Sequence, residues 1–116
     1  MRYDGCMSAP LEARAYDKLA DTCLEQIATW LEEFDPDEVD FVTTDGVVTI
    51  EFADGVRFVL NRQAAAAQMW FAAGARAWHY NWNADESLWA DDRDGHELLT
   101  RIGEVVSTKI GRDVRP

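Results

Sequence analysis

The sequence predicts an α+β fold: a two-layer sandwich in which an N-terminal and a C-terminal helix pack on one face of a roughly six-stranded antiparallel sheet. Three observations predict it. Residues near each end place their apolar side chains at helical spacing. Two Asp-Gly pairs, Asp45-Gly46 and Asp54-Gly55, separate short apolar runs in the middle, the pattern of tight hairpin turns. The run Val48, Ile50, Phe52 alternates with Thr49 and Glu51, which reads as a strand with one buried face.

Residues 8–34 read as one long helix, with Pro10 suited to its first turn. At roughly 100° per residue, Tyr16, Leu19, Ala20, Cys23, Leu24, Ile27, Trp30, Leu31 and Phe34 share one stripe, the face for a core. Asp17, Asp21, Glu25 and Glu32 gather on a second stripe. Strands are expected over 40–44, 47–53, 56–61, 67–72, 77–82 and 87–91, with Gly74 and Ala84-Asp85-Glu86 at turns. A second helix follows. Asp94 is its expected N-cap, with Glu97 three residues on completing a capping box. Leu98, Leu99, Ile102, Val105, Val106 and Ile110 form its apolar face, and Gly111 ends it. The chain is expected to be one domain over 1–116, with a core of about 14–110 and frayed ends.

Charge is distributed unevenly. The formal net charge is -11, and all of the excess lies before Val56: residues 1–55 hold 14 acidic against 3 basic side chains, and residues 56–116 hold 8 against 8. Six acidic residues fall in nine positions, Glu32, Glu33, Asp35, Asp37, Glu38 and Asp40, and no basic residue interrupts them. Such a field repels nucleic acid and anionic membranes and attracts cations and basic proteins. Carboxylates offer only hard oxygen ligands, which suit hard cations. The common alternative is a solvated helix end and loop. No apolar run approaches a membrane span and the first residues lack a secretory pattern, so the reading is a soluble cytoplasmic protein. Cys6 and Cys23 are too few for a zinc site or a disulfide framework. Cys6 reads as a mobile thiol and Cys23 as a small core residue.

With both helices on one face, the other face of the sheet meets water. Alternation places Asn61, Gln68, Trp70, His79 and Asn81 there. An exposed Trp among amides is the composition of a protein-binding surface. A register slip of one residue would instead bury Trp70 and expose Met69. Motifs for phosphate loops, zinc hydrolases and serine nucleophiles are absent, and the two histidines, His79 and His96, lie apart from the acidic run and stripe of the N-terminal half, so the chain reads as a non-enzyme.

Several segments then resemble the frataxin family, in particular its bacterial CyaY-type members. They are Tyr16-x-x-Leu19-Ala20-Asp21, the acidic segment through Asp40, Asp45-Gly46-Val47-Val48-Thr49-Ile50, Asn61-Arg62-Gln63, Gln68-Met69-Trp70, His79-Tyr80, Trp89-x-x-Asp92-Arg93 and His96-Glu97-Leu98-Leu99. The resemblance implies a helix–sheet–helix sandwich that binds iron, Fe2+ or Fe3+, weakly along an acidic ridge. It implies a regulator or iron donor in iron–sulfur cluster assembly that docks on a cysteine desulfurase and a scaffold protein, and that is a monomer without metal. By this resemblance the ridge is Asp17, Asp21, Glu32, Glu33, Asp35, Asp37, Glu38 and Asp40, with Glu25 joining it on the helical wheel. The partner-binding face is Asn61, Gln63, Gln68 and Trp70, with His79 at its edge. Ala28 and Thr29 stand where bacterial relatives often carry acids, which thins the middle of the ridge. Two other readings stay open: a ferroxidase or iron-storage activity at the ridge, and an acidic interaction module whose metal binding is incidental.

Overall fold

In the computed structural model, residues 12–116 are described. Helix α1 spans Ala13–Leu31, strands β1 to β6 span Val39–Thr44, Val47–Phe52, Arg57–Gln63, Gln68–Ala73, Arg76–Asn83 and Leu88–Asp91, and helix α2 spans Leu98–Ile110. All five ladders are antiparallel and the strand order is β1-β2-β3-β4-β5-β6. The expected α+β sandwich is the observed one. The proposed start of α1 at Ser8 with Pro10, and the reading of Cys6, lie outside the described residues.

The two helices bury their apolar stripes against one face of the sheet. Tyr16, Ala20, Cys23, Leu24, Ile27, Trp30 and Leu31 of α1 join Leu98, Ile102 and Val106 of α2 over Val48, Ile50, Phe52, Phe58, Leu60, Met69, Phe71, Trp78, Tyr80 and Trp89. Removing that apolar surface from water is the main stabilising term. Tyr16 also fixes the height of α1: its hydroxyl donates to the Gln68 carbonyl at 2.9 Å and its ring meets Trp89 edge-on at 6.2 Å. Burial pushes the Tyr16 hydroxyl above its ordinary value of 10.0. Cys23 is buried as expected, and desolvation pushes its thiol up to about 12.

Asp45-Gly46 makes the expected two-residue turn between the paired Thr44 and Val47, with Gly46 at φ 77°. Asp54-Gly55 also turns the chain, with Gly55 at φ 87°, but in a three-residue loop rather than the expected two-residue one: β2 ends at Phe52, whose N–H donates to the Val56 carbonyl at 3.0 Å. Gly46 meets a second demand. A Cβ there would lie 2.9 Å from Nε of Arg62, so the turn must be bare for that side chain to pass. The β3–β4 connection differs from expectation. Ala64–Ala66 form a 3-10 turn closed by Ala67 in the left-handed region at φ 53°, so β4 starts one residue later than the sequence suggests.

Three other expectations are corrected. Helix α1 ends at Leu31, not at Phe34. The Glu32 amide still donates to Ala28 and Thr29, but Glu33–Asp37 form turns, because Pro36 removes a donor and disfavours helical backbone before it. The N-cap of α2 is Glu97, not Asp94. Its carboxylate accepts from the Leu99 amide at 2.8 Å and the Thr100 amide at 2.9 Å. Asp94 caps the preceding turn instead, accepting from the His96 amide at 3.0 Å. Gly111 does end α2, in the left-handed region at φ 79°. Where the sequence reads a frayed C-terminal end, the tail folds back along α2. Ser107 Oγ donates to the Val114 carbonyl at 3.0 Å and accepts from its amide at 2.9 Å. Gly103 lets the tail approach, since a Cβ there would lie 3.2 Å from Pro116.

Candidate functional site

Two exposed surfaces collect the residues singled out by the sequence. The first is the ridge. Asp17, Asp21 and Glu25 are exposed on the outer side of α1, one turn apart. Glu32, Glu33, Asp35, Asp37 and Glu38 follow in the connection to β1, and Asp40 lies exposed near its start. The ridge is therefore a helix face that continues as turns. Asp35 organises those turns: its Oδ1 accepts from the Asp37 amide at 2.9 Å, and its carbonyl accepts from Glu38 and Val39. Asp40 Oδ1 accepts from the Phe41 amide at 2.8 Å.

The carboxylates at 32 and 33 stand at the C-terminal end of α1, where the helix dipole is already negative, and the last turn carries no basic residue. Two arginines reach the ridge from elsewhere. Arg62 Nη1 lies 2.5 Å from Asp21 Oδ1 and its Nη2 lies 3.0 Å from Asp45 Oδ1, so one guanidinium clamps α1 to the β1–β2 turn. Arg112, beyond α2, donates to Glu38, and that bond raises the arginine's own pKa. Neither arginine was assigned a role by the sequence reading. Alternation does put Arg62 on the helix-facing side of β3, which is a signal for the first. The second depends on how the tail folds. Among the described residues, Glu32, Glu33 and Asp37 have no ion-pair partner. No three ridge carboxylates bring ligand atoms within 4.8 Å of one another.

The second surface is the open face of the sheet. Met69 and Phe71 are fully buried, so Trp70 points away from the core and the expected register holds. Asn61, Trp70 and His79 are direct cross-strand partners on β3, β4 and β5, and Gln63, Gln68 and Asn81 form the next row. The side chains interlock. Trp70 stacks on the His79 ring at 4.3 Å and 18°. Its Nε1 donates to Gln68 Oε1 at 2.8 Å, and Gln68 Nε2 donates to Asn81 Oδ1 at 3.2 Å. Asn61 Nδ2 donates to the Arg62 carbonyl at 3.2 Å. His79 Nδ1 lies 3.9 Å from Asp92 Oδ2. The result is a half-buried aromatic plate edged by amides and fixed in place.

No helix among the described residues is long and apolar enough to cross a membrane.

Sequence and structure comparisons agree with this fold. The frataxin-like domain family matches residues 9–112. The chain is 37% identical over 97 residues to the "Iron-sulfur cluster assembly protein CyaY" of Thioalkalivibrio sulfidiphilus, covering 83% of this chain and 91% of that one. It is 35% identical over 100 residues to the protein of the same name from Dechloromonas aromatica, covering 85% and 92%. The solved frataxin of Psychromonas ingrahamii superimposes with a TM-score of 0.80 at 28% identity, covering 90% of this chain and 97% of that one. Trimeric yeast frataxin complexed with ferrous iron superimposes with a TM-score of 0.65 at 25% identity, covering 91% and 92%. With its helix–sheet–helix order, its sequential six-stranded sheet and a family match over nearly the whole chain, this protein belongs to the frataxin family, on its bacterial CyaY side.

Proposed function

We propose that this chain acts in iron–sulfur cluster assembly as a non-enzymatic protein that holds iron weakly as cargo on the ridge. On this reading it docks on a cysteine desulfurase through the ridge and on a scaffold protein through the open face of the sheet. The observation that carries this reading is the accumulation of Glu32, Glu33, Asp35 and Asp37 at the negative end of α1. Their mutual repulsion is unfavourable in the free protein and is relieved by a cation or a basic protein surface. The donor set fits iron as a hard ion: every ridge ligand is a carboxylate oxygen. The exposed, unclustered arrangement leaves much of the coordination sphere to water, which fits weak binding. A relative assigned to cluster assembly and a neighbour holding ferrous iron support the same reading.

The test has two parts. Titration with Fe2+ under anaerobic conditions should broaden backbone resonances over Glu32–Asp40 and along the outer side of α1, with stoichiometric uptake and no catalytic oxygen consumption in air. Reversing Glu32, Glu33 and Asp35 to Lys should abolish desulfurase capture while circular dichroism stays native, and capture by the wild type should fall steeply with salt. A folded triple variant that still binds would move the desulfurase interface off the ridge.

A further inference from the structure

The geometry points to a second cation site, separate from the ridge, in the tight loop between β6 and α2: Asp91, Asp94 and His96 are placed to hold one divalent first-row transition-metal ion such as Zn2+ or Co2+. Among the described residues this trio alone brings one ligand atom from each of three side chains within 4.8 Å of the others. Proximity of acidic groups would mean little by itself. The independent observation is the state of Asp91. Its side chain is the one buried carboxylate of the described core, 6% exposed, and its two oxygens are treated unequally. Oδ1 accepts from the Arg93 amide at 2.8 Å and the Asp94 amide at 3.0 Å. Oδ2 is buried and accepts nothing. A buried carboxylate oxygen without a partner loses its hydration and gains no bond in exchange, which is rare in folded chains. A cation at this position would satisfy it.

The other two members complete a donor set. His96 Nδ1 lies 2.5 Å from Asp94 Oδ1, and its Nε2 lies 2.7 Å from the Tyr80 hydroxyl. Tyr80 is fully buried, and its hydroxyl oxygen is in position to accept from Nε2–H. That contact would fix the imidazole with Nδ1 toward the carboxylates, the usual arrangement for a metal-bound His whose second nitrogen is held by a neighbour. On binding, the ion takes the place of any proton on Nδ1, and that proton leaves to solvent. Two carboxylates balance the charge of a divalent ion. The imidazole favours zinc, cobalt or ferrous iron over magnesium and calcium, and water completes the coordination.

The loop holds its shape through its own backbone. Asp91 N–H donates to the His96 carbonyl at 2.8 Å, and Gly95 N–H donates to the Asp91 carbonyl at 3.1 Å. The competing cation on this side is Arg101 of α2. Its guanidinium lies over the Trp78 ring and pairs with Glu104, and it makes no hydrogen bond to Asp91.

Co2+ is the probe, titrated into the full chain. The expected result is one saturable site per chain, visible as ligand-field absorption, with the His96 ring nitrogens and the amides of 91–96 perturbed. His96→Gln and the more exposed Asp94→Asn should each weaken that site at least about tenfold, the scale of losing a ligand or its support. A chain with Glu32→Gln, Glu33→Gln and Asp35→Asn should keep it, so failure of the ridge reading and failure of this one give different patterns. The proposal is overturned if Co2+ perturbs only the ridge, or if affinity at 91–96 is unchanged in both variants. Should His96→Gln fail to fold, Asp94→Asn alone decides.

Discussion

The ridge and the open face of the sheet are both exposed polar surfaces, and they are built in opposite ways. On the sheet the side chains around Trp70 hold one another: His79 under Trp70, Trp70 to Gln68, Gln68 to Asn81. On the ridge, among the described residues, Glu32, Glu33 and Asp37 are held by nothing but their own backbone. A fixed plate loses little freedom when a partner covers it, so it selects by shape and contributes to a slow off-rate. Free carboxylates select by sign and act at a distance, so they contribute to encounter rate and lose influence in salt. On the proposed reading, one small protein would present one surface suited to finding a partner and another suited to keeping one.

Three experiments break or sharpen that contrast, beginning with the largest effect. The first asks whether both surfaces rest on one cooperative core. Below pH 9.0 the Cys23 thiol is protonated in folded and unfolded chains alike, and its contribution is complete. Between 9.0 and about 12 the unfolded chain releases a proton that the buried thiol keeps, so stability falls as pH rises. The limiting slope is about 1.4 kcal/mol per pH unit, or several kcal/mol across the window. Denaturant unfolding at stepped alkaline pH should show this loss, Cys23→Ala should remove the part that sets in at 9.0 while leaving the part that the buried Tyr16 and Tyr80 hydroxyls add above 10.0, and NMR signals from α1 and from β4 should vanish together. Earlier loss of the α1 signals would mean that the ridge melts independently of the sheet.

The second is aimed at the plate. Trp70→Ala should weaken scaffold binding at least tenfold, on the order of 2 kcal/mol for an aromatic anchor, and leave the ridge's iron titration unchanged. Because Met69 and Phe71 fill the core beneath it, the same change should cost the fold no more than about 1 kcal/mol. Asn61→Ala should act in the same direction and less strongly. If Trp70→Ala lowered stability by several kcal/mol, the stack on His79 would be structural rather than a docking plate.

The smallest effect separates two carboxylates that look equivalent on the helix. The sequence alone predicts that neutralising Asp21 and Glu25 together relieves repulsion and raises the melting temperature. The Arg62 clamp changes the sign for one of them. Glu25→Gln should stabilise by a few tenths of a kcal/mol at low salt. Asp21→Asn should destabilise by up to about 1 kcal/mol, the range for an exposed pair. Thermal melts of the two single variants at low and high salt would show it. Matching upward shifts would mean that the clamp contributes nothing.

Periodicity explains what was legible. The inner stripe of α1, the alternation of Val48, Ile50 and Phe52, and the outward row of Asn61, Trp70 and His79 follow from spacings of 3.6 and 2 that each segment carries within itself. The missed features join segments far apart in the chain. Arg62 meets Asp21 across 41 residues and Arg112 meets Glu38 across 74, and neither pairing exists until α1 and the tail are set against the sheet. The cap of α2 was misplaced for a local reason: two acids three residues apart, Asp94 and Glu97, both fit a capping signature. The chain uses the first for the turn and the second for the helix.

The sequential order of the strands has a consequence for how the molecule is made. Each ladder joins neighbours in the chain, so every hairpin can close over a short loop at little entropic cost. Helix α1 is different. It is synthesised before any strand, and its anchor to the sheet, Tyr16 to Gln68, must wait for a residue 52 positions later. During synthesis its apolar stripe has no cover. The carboxylates at 17, 21, 25, 32 and 33 supply a charge of one sign along the same emerging segment, which keeps nascent copies apart until the sheet arrives. On this account the acidity that is unfavourable in the finished fold guards the unfinished one against aggregation.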